Sequence, residues 1–274
     1  MVLAALPYVN SLGNGLVWDD NVQLARRPET VPSLGSIFGG RSWTVLAGPD
    51  RDGADTISTY RPLLILSYVF DRWASGGMPF GYHLTSLVLF LLLVAALVSL
   101  AWEITPRRSA IACAVLYWAW QPFLTESVSW ISGRHDVLLA LFLVVSLWAF
   151  LRAGRSQGFA RLGALGLCVA SFVLALLSKE PALLFPVLLF PIAVEFPDRL
   201  RFSRGEKLAL AAIAIALGGG YLLLRVRLIA AGNLAGGQEG IVAAIRAAPL
   251  AFGKYLGYFH VLPRPSSHHL HPAV

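Results

Sequence analysis

The feature that most constrains this chain is an uncharged apolar stretch, 84–102, whose kind recurs along the sequence. Its length approaches the roughly 20 residues a helix needs to cross a hydrocarbon layer about 30 Å thick. Further stretches lie at 110–125, 137–151, 162–177, 181–194 and 208–224. Several fall short of a full crossing, so they must borrow flanking residues or bend. Their regular spacing, separated by short basic loops, argues against buried helices of a soluble protein. With an apolar start at 1–12 and a further apolar stretch at 249–262, the pattern predicts an all-α polytopic membrane protein of about seven or eight membrane segments. Composition agrees: 57% of residues are hydrophobic, 14% are charged and the mean hydropathy is +0.66. So few charges cannot cover a water-facing surface.

The formal charge of +7 does not point to nucleic acid, because the basic residues alternate between loops instead of forming one patch. Loops 103–109, 152–161 and 195–207 carry nine Lys or Arg in 30 residues, whereas 13–82, 126–136, 178–180 and 225–249 carry eleven in 109. The denser set is expected in the cytoplasm. That orientation puts Asp19, Asp20, Glu126, Arg134, Asp136, Lys179 and Glu180 on the outer side. Cys113 and Cys168 fall inside apolar spans, where they read as small packing residues.

The expected organisation is a partial first span at 1–12, an outer loop at 13–82, a helical membrane bundle at 83–263 and a short flexible tail at 264–274. The first span is expected to begin before Met1; the apolar N-terminus lacks the basic start of a signal peptide. Within the outer loop, 39–55 is rich in Gly, Pro and Asp, and 62–73 predicts an interfacial helix opened by Pro62. Trp18, Trp43, Trp73, Tyr60, Tyr68 and Tyr82 suit a membrane-interface belt. Pro181, Pro186 and Pro191 punctuate one span, and irregular backbone at membrane depth points to a cavity beside it. Gly218, Gly219 and Gly220 are expected to interrupt the last strong span. His268, His269 and His271 in the tail have no element to fix them as metal ligands.

Three outer junctions carry chemistry. Asp19 and Asp20 adjoin an apolar stretch, and adjacent residues point in different directions, so one is expected to face a substrate atom while the other orients it. A general base would be a carboxylate within reach of an acceptor hydroxyl. Glu126 ends a span, and Arg134, His135 and Asp136 follow closely; Arg134 could grip a phosphate through its planar donor fork. At Ser178-Lys179-Glu180, the lysine either neutralises its neighbour or joins Arg61 and Arg134 in holding a lipid-linked phosphate. The aspartate pair could bind a divalent cation, but too few fixed ligands are visible to predict one.

These segments resemble the GT-C glycosyltransferases, specifically the membrane domain of the transmembrane and tetratricopeptide repeat protein family. The resemblance runs through Asn14-Gly15-Leu16-Val17-Trp18-Asp19-Asp20, Tyr60-Arg61-Pro62-Leu63, Leu66-Ser67-Tyr68, Gly81-Tyr82-His83-Leu84-Thr85, Thr125-Glu126-Ser127-Val128-Ser129-Trp130-Ile131-Ser132-Gly133-Arg134 and Ser178-Lys179-Glu180. It implies transfer of a sugar, mannose in animal members, from a polyprenyl-phosphate carrier to a hydroxyl acceptor such as protein Ser or Thr, with inversion. By the resemblance, Asp19 or Asp20 is the base, with Asp19 ranked first; Glu126 orients the acceptor; and Arg134, Lys179 and Arg61 stabilise the phosphate. His83, His135, Asp136 and Glu180 support the site. Where the family carries His-Pro this chain has Gln121-Pro122, and Leu124 replaces a second family histidine. Residues 264–274 show no tetratricopeptide pattern.

The implied donor is a polyprenyl-phosphate sugar, with no certain cofactor, and the expected partners are membrane lipid and an acceptor protein, without nucleic acid. The expected location is a bacterial inner membrane with the active face outward. Two other classes fit the same residues: a lipid-phosphate binding or transport protein, which needs the cations but not Asp19, and an inactive, truncated scaffold.

Overall fold

A computed structural model describes residues 1–24, 32–39, 59–195 and 200–230. The expectations for 40–55, 249–263 and the tail, including its three histidines, lie outside these residues, as does Trp43. Residues Met1–Ile229 form one compact unit.

The N-terminal apolar residues form a short helix α1 (Val2–Ala5) continued by a 3-10 helix, Leu6–Gly13. The loop beyond carries α2 (Asp19–Gln23), α3 (Leu34–Gly39) and α4 (Pro62–Ser75). The bundle then runs through α5 (Pro79–Ile104), α6 (Arg108–Ala119), α7 (Leu124–Ser129), a 3-10 turn Ile131–Gly133 and α8 (Arg134–Arg155). It continues with α9 (Gly158–Ser178), a 3-10 helix Glu180–Leu184, α10 (Phe185–Glu195) and α11 (Arg204–Ala230). Among the described residues there is no strand.

Among the described residues, four helices are long and apolar enough to cross a membrane: Pro79–Ile104, Ile131–Arg155, Gly158–Ser178 and Arg204–Leu228. Three shorter apolar helices, Val2–Gly13, Arg108–Ala119 and Glu180–Leu189, accompany them. The architecture is all-α and polytopic. The span expected at 110–125 stops early: α6 ends at Ala119, and the chain turns through Pro122 before α7. The proline-rich span opens as a 3-10 helix and becomes α-helical only at Phe185. Beside it, Phe150, Cys168, Phe172, Phe185, Pro186 and Ile213 line an apolar crevice.

The three consecutive glycines do not interrupt their helix. α11 is continuous, and an added Cβ at Gly218 would meet Leu183 at 3.3 Å, whereas Gly219 and Gly220 face open space. Only the first serves close packing. Cys168 is buried, its carbonyl accepting from Ser146 Oγ at 2.8 Å, but Cys113 is exposed on α6 and packs no core.

One core joins α5 to the N-terminus and α8: Phe90, Leu93 and Val94 pack with Tyr8, Val137 and Leu141. The Tyr8 hydroxyl donates to the Ala119 carbonyl at 2.7 Å, tying the N-terminal turn to α6. α8 and α9 form an antiparallel hairpin. Near its turn, Gly154 approaches the Leu200 backbone so closely that an added Cβ would lie 3.1 Å from Leu200 Cα. The same end gathers Glu103 with Arg152 and Arg155, and Arg161 with Glu206 at 2.7 Å. Helix α4 buries Leu64, Ile65, Tyr68 and Asp71 at helical spacing against the bundle. Its opposite face leaves Phe70 and Trp73 exposed, so the helix expected at the membrane surface is packed protein on one side.

Candidate active site

The end of the bundle opposite the Glu103 cluster collects most of the expected site residues. α2 begins immediately after Trp18, the only non-glycine residue with positive φ (47°) among the described residues. A bulky side chain there signals a strained turn. The turn separates the two carboxylates: Asp19 is exposed and Asp20 is fully buried. Asp20 Oδ1 accepts from the Ser132 backbone N–H at 2.9 Å and the Ser132 hydroxyl at 2.5 Å, while Oδ2 accepts from Val17 N–H at 3.4 Å. Asp20 therefore pins the outer-loop turn to the Ile131–Gly133 turn that opens α8.

Glycine is required in that second turn. A Cβ on Gly133 would stand 2.4 Å from the Glu126 carbonyl, so only glycine lets α7 and the turn approach. Glu126 itself is exposed on α7. Trp130, between them, packs edge-on to Trp18 with ring centroids 5.9 Å apart.

Beyond the turn, α8 sends successive polar residues in opposite directions. Arg134 goes into the core and is fully buried. Its Nη1 lies 2.6 Å from Asp71 Oδ2, with both side chains wholly enclosed. Nε donates to Ser86 Oγ at 3.0 Å, Nη1 to Ser67 Oγ at 2.9 Å and Nη2 to the Tyr82 carbonyl at 2.6 Å, and the guanidinium lies 5.1 Å from the Tyr68 ring centre. Burial pushes the Asp71 carboxyl above the usual carboxylate range, and the Arg134 guanidinium opposes that push. The pair fastens α4 and α5 to α8.

His135 and Asp136 go the other way. The Ser132 carbonyl lies 2.6 Å from His135 Nδ1, which fixes that nitrogen as the donor. His135 Nε2 then lies 3.4 Å from Asp136 Oδ2, and the other Asp136 oxygen pairs with Lys179 at the end of α9. The next residue, Glu180, is flanked by two arginines: Arg61 at 3.6 Å from Oε2 and Arg225 at 3.1 Å from Oε1. Lys179 and Glu180 are consecutive, which joins the two groups into one polar belt. Arg61, Lys179 and Glu180 are largely shielded, at 19%, 23% and 18% exposed, whereas Asp136 is 41% exposed.

The structure thus gathers Arg61, His135, Asp136, Lys179 and Glu180 and couples them through Ser132 to Asp20. His83 is 1% exposed and makes no hydrogen bond of good geometry; its polar neighbours are the backbone of Asn14 and Gly15 and the Asp20 carboxylate. Arg134 and Lys179, expected to converge, share no partner. Sequence reading missed Asp71, although its place three residues after Tyr68 on the apolar stripe was a usable signal. It also missed Ser132 as a keeper of Asp20. Arg225 was counted only as loop charge. Among the described residues, no group of three or more His, Cys, Asp or Glu could hold a metal ion.

Long apolar helices carrying a belt of acids and bases at one end define a polytopic membrane protein with a charged site at its helix ends. Residues 75–219 match the model of the dolichyl-phosphate-mannose-protein mannosyltransferases, and the chain belongs to that family. The matched region includes His83, Glu126, Arg134, His135, Asp136, Lys179 and Glu180, and excludes Asp19, Asp20 and Arg61. The chain is 29% identical to protein O-mannosyl-transferase Tmtc1 of Drosophila melanogaster over 66% of its length and 20% of that relative's. It is 27% identical to Drosophila Tmtc2 over 83% of this chain and 24% of the relative. To human TMTC3 it is 27% identical over 55% of this chain and 16% of the relative. It therefore spans about a quarter or less of the length of these relatives. No solved structure matches it.

Proposed function

We propose that this chain is the membrane part of a glycosyltransferase that moves a hexose, mannose in the relatives' names, from a polyprenyl-phosphate carrier to a hydroxyl of a protein. The single observation that carries the reading is the separation of Asp19 from Asp20 beside the polar belt. Asp20 has both oxygens occupied. Asp19 is exposed next to it and is the carboxylate available to a substrate.

In the proposed reaction, the Asp19 carboxylate takes the proton of the acceptor hydroxyl as that oxygen attacks the anomeric carbon. The carbon–oxygen bond to the carrier phosphate breaks on the opposite face, its electron pair stays with the phosphate and the sugar configuration inverts. Arg61 and Lys179 stabilise the developing phosphate charge from fixed positions in a water-poor setting. Glu126 orients the acceptor. Arg134 is framework in this reading, since its donors are committed to Asp71, Ser67, Ser86 and Tyr82. The apolar crevice beside Pro186 receives a length of the carrier's hydrocarbon chain.

The sparse positive charge of the loops bearing these residues supports an outward-facing site, with the bacterial inner membrane as the proposed location. The test is transfer by the full chain in lipid, using labelled polyprenyl-phosphate mannose and a Ser/Thr peptide library. Wild type should turn over, and Asp19→Asn should be inactive yet folded. An Asp19→Asn variant with wild-type turnover would remove the assigned base.

A further inference from the structure

Sugar-transfer chemistry gives Asp19 a task but leaves the residue before it unexplained. Trp18 has φ 47° and ψ −119°. It occupies the first central position of a turn closed by the Asp20 N–H, which donates to the Val17 carbonyl at 2.9 Å. Turns of this geometry ordinarily place glycine there. A tryptophan is strained in such a position and stays only where its surroundings impose it. Both flanks of the turn are fastened: the Val17 N–H donates to Asp20 Oδ2 at 3.4 Å, Asn21 Nδ2 donates to the Leu16 carbonyl at 3.2 Å, and Ser132 holds Asp20 Oδ1.

The strained turn holds an indole in the open. Trp18 is 69% exposed, and its ring meets Trp130 edge-on, with planes at 82°. Trp130 leads directly into the Ile131–Gly133 turn, so the tie between Asp20 and Ser132 also sets this ring contact. The Trp130 Nε1–H is enclosed without a hydrogen-bond partner among the described residues, so Trp130 supports its neighbour through the ring alone. The exposed Asp19 carboxylate follows Trp18 in the chain, and the Ser132 carbonyl faces His135 at the start of the polar belt. Anchoring at the membrane interface explains an aromatic such as Trp73, 81% exposed on the regular helix α4. An anchor needs a depth but no fixed orientation to a carboxylate, and therefore no strained turn.

We infer that Trp18 is an aromatic platform on which the hexopyranose of the lipid-linked donor stacks, directing its anomeric carbon toward the acceptor hydroxyl that Asp19 deprotonates. The inference rests on the proposed function and names the residue that reads the sugar. A pyranose turns C–H bonds outward from its ring faces, and their slightly positive hydrogens complement the negative face of an indole. Because the turn already fixes the ring, binding does not have to order it.

The test uses the full chain in phosphatidylcholine nanodiscs. Native mass spectrometry compares affinity for polyprenyl-phosphate mannose with that for sugarless polyprenyl phosphate, and transfer to Ser/Thr peptides gives donor and acceptor KM. In Trp18→Gly the ratio of the two affinities, mannosylated over bare, should fall about three- to tenfold, and donor KM should rise by a similar factor. Its unfolding temperature should stay near wild type, the relaxed turn offsetting the lost ring contact. Trp18→Phe and Trp18→Leu both keep the strained turn, so the difference between them isolates the aromatic ring: Phe should retain part of the ratio and Leu should lose it. Trp73→Leu should stay near wild type. An equal loss in Trp73→Leu would reduce the effect to interface anchoring and overturn the platform. A rise confined to acceptor KM would assign the ring to the peptide and overturn the donor assignment. If wild type transfers sugar and Trp18→Gly and Trp18→Leu keep both ratio and donor KM, the platform falls while the enzyme reading stands. The expected order of ratios without wild-type transfer would uphold the platform and remove the enzyme reading.

Discussion

At the scale of single residues, burial separates groups that look alike in sequence. Asp19 and Asp20 are neighbours, yet only Asp20 is enclosed and fully occupied. Asp20→Ala should cost about 1–3 kcal/mol, because it strands the buried Ser132 donors; Asp19→Asn should change stability by less than about 0.5 kcal/mol. Denaturant or thermal unfolding in detergent reads the difference, and equal losses would refute the division of labour. Arg134 and Asp71 make a sharper case. Removing one charge leaves the other buried and unpaired, so Asp71→Asn should destabilise by about 3–5 kcal/mol. A double replacement with apolar residues, Asp71→Leu with Arg134→Met, should recover much of that loss. Additive losses would contradict a closed pair.

At the scale of elements, short turns hold the site more than long helices do. The Ile131–Gly133 turn presents Ser132 to Asp20 and its carbonyl to His135, and it lies against α7 only because residue 133 lacks a side chain. Gly133→Ala must push the Glu126 backbone away, at a cost of about 1–3 kcal/mol. Its expected signature is weakened transfer with the helices intact by circular dichroism. The α4 periodicity was legible in sequence, including its start at Pro62. Its inward packing was not, because an apolar stripe can face lipid or protein equally well. The proline-rich span shows the same division: its irregularity could be read from three prolines, whereas the switch from 3-10 to α-helix at Phe185 depended on how the chain leaves Lys179.

At the scale of the whole molecule, the polar clusters mark opposite ends of the long helices, and the proposed orientation turns the Asp20 end outward. In a chain with Cys113→Ala and Cys168→Ala, a membrane-impermeant maleimide should label Asn14→Cys from outside intact cells. It should label Gln157→Cys only after permeabilisation, and the reverse pattern would invert the proposed orientation. The repeated apolar lengths by themselves determined an all-α membrane chain, since unsatisfied backbone in hydrocarbon leaves a helix as the economical way to cross. They also determined where acids and bases could collect, at the helix ends. Only tertiary structure decided what each charge does. It turned Arg134 into a core tie, left Asp19 open beside a closed Asp20, and brought Arg225 from a distant helix to Glu180. The physical reason is that partners lie far apart in sequence: 112 residues separate Asp20 from Ser132, and 161 separate Tyr60 from Tyr221. Helical periodicity reports which face a residue occupies, but not which distant residue will meet it there.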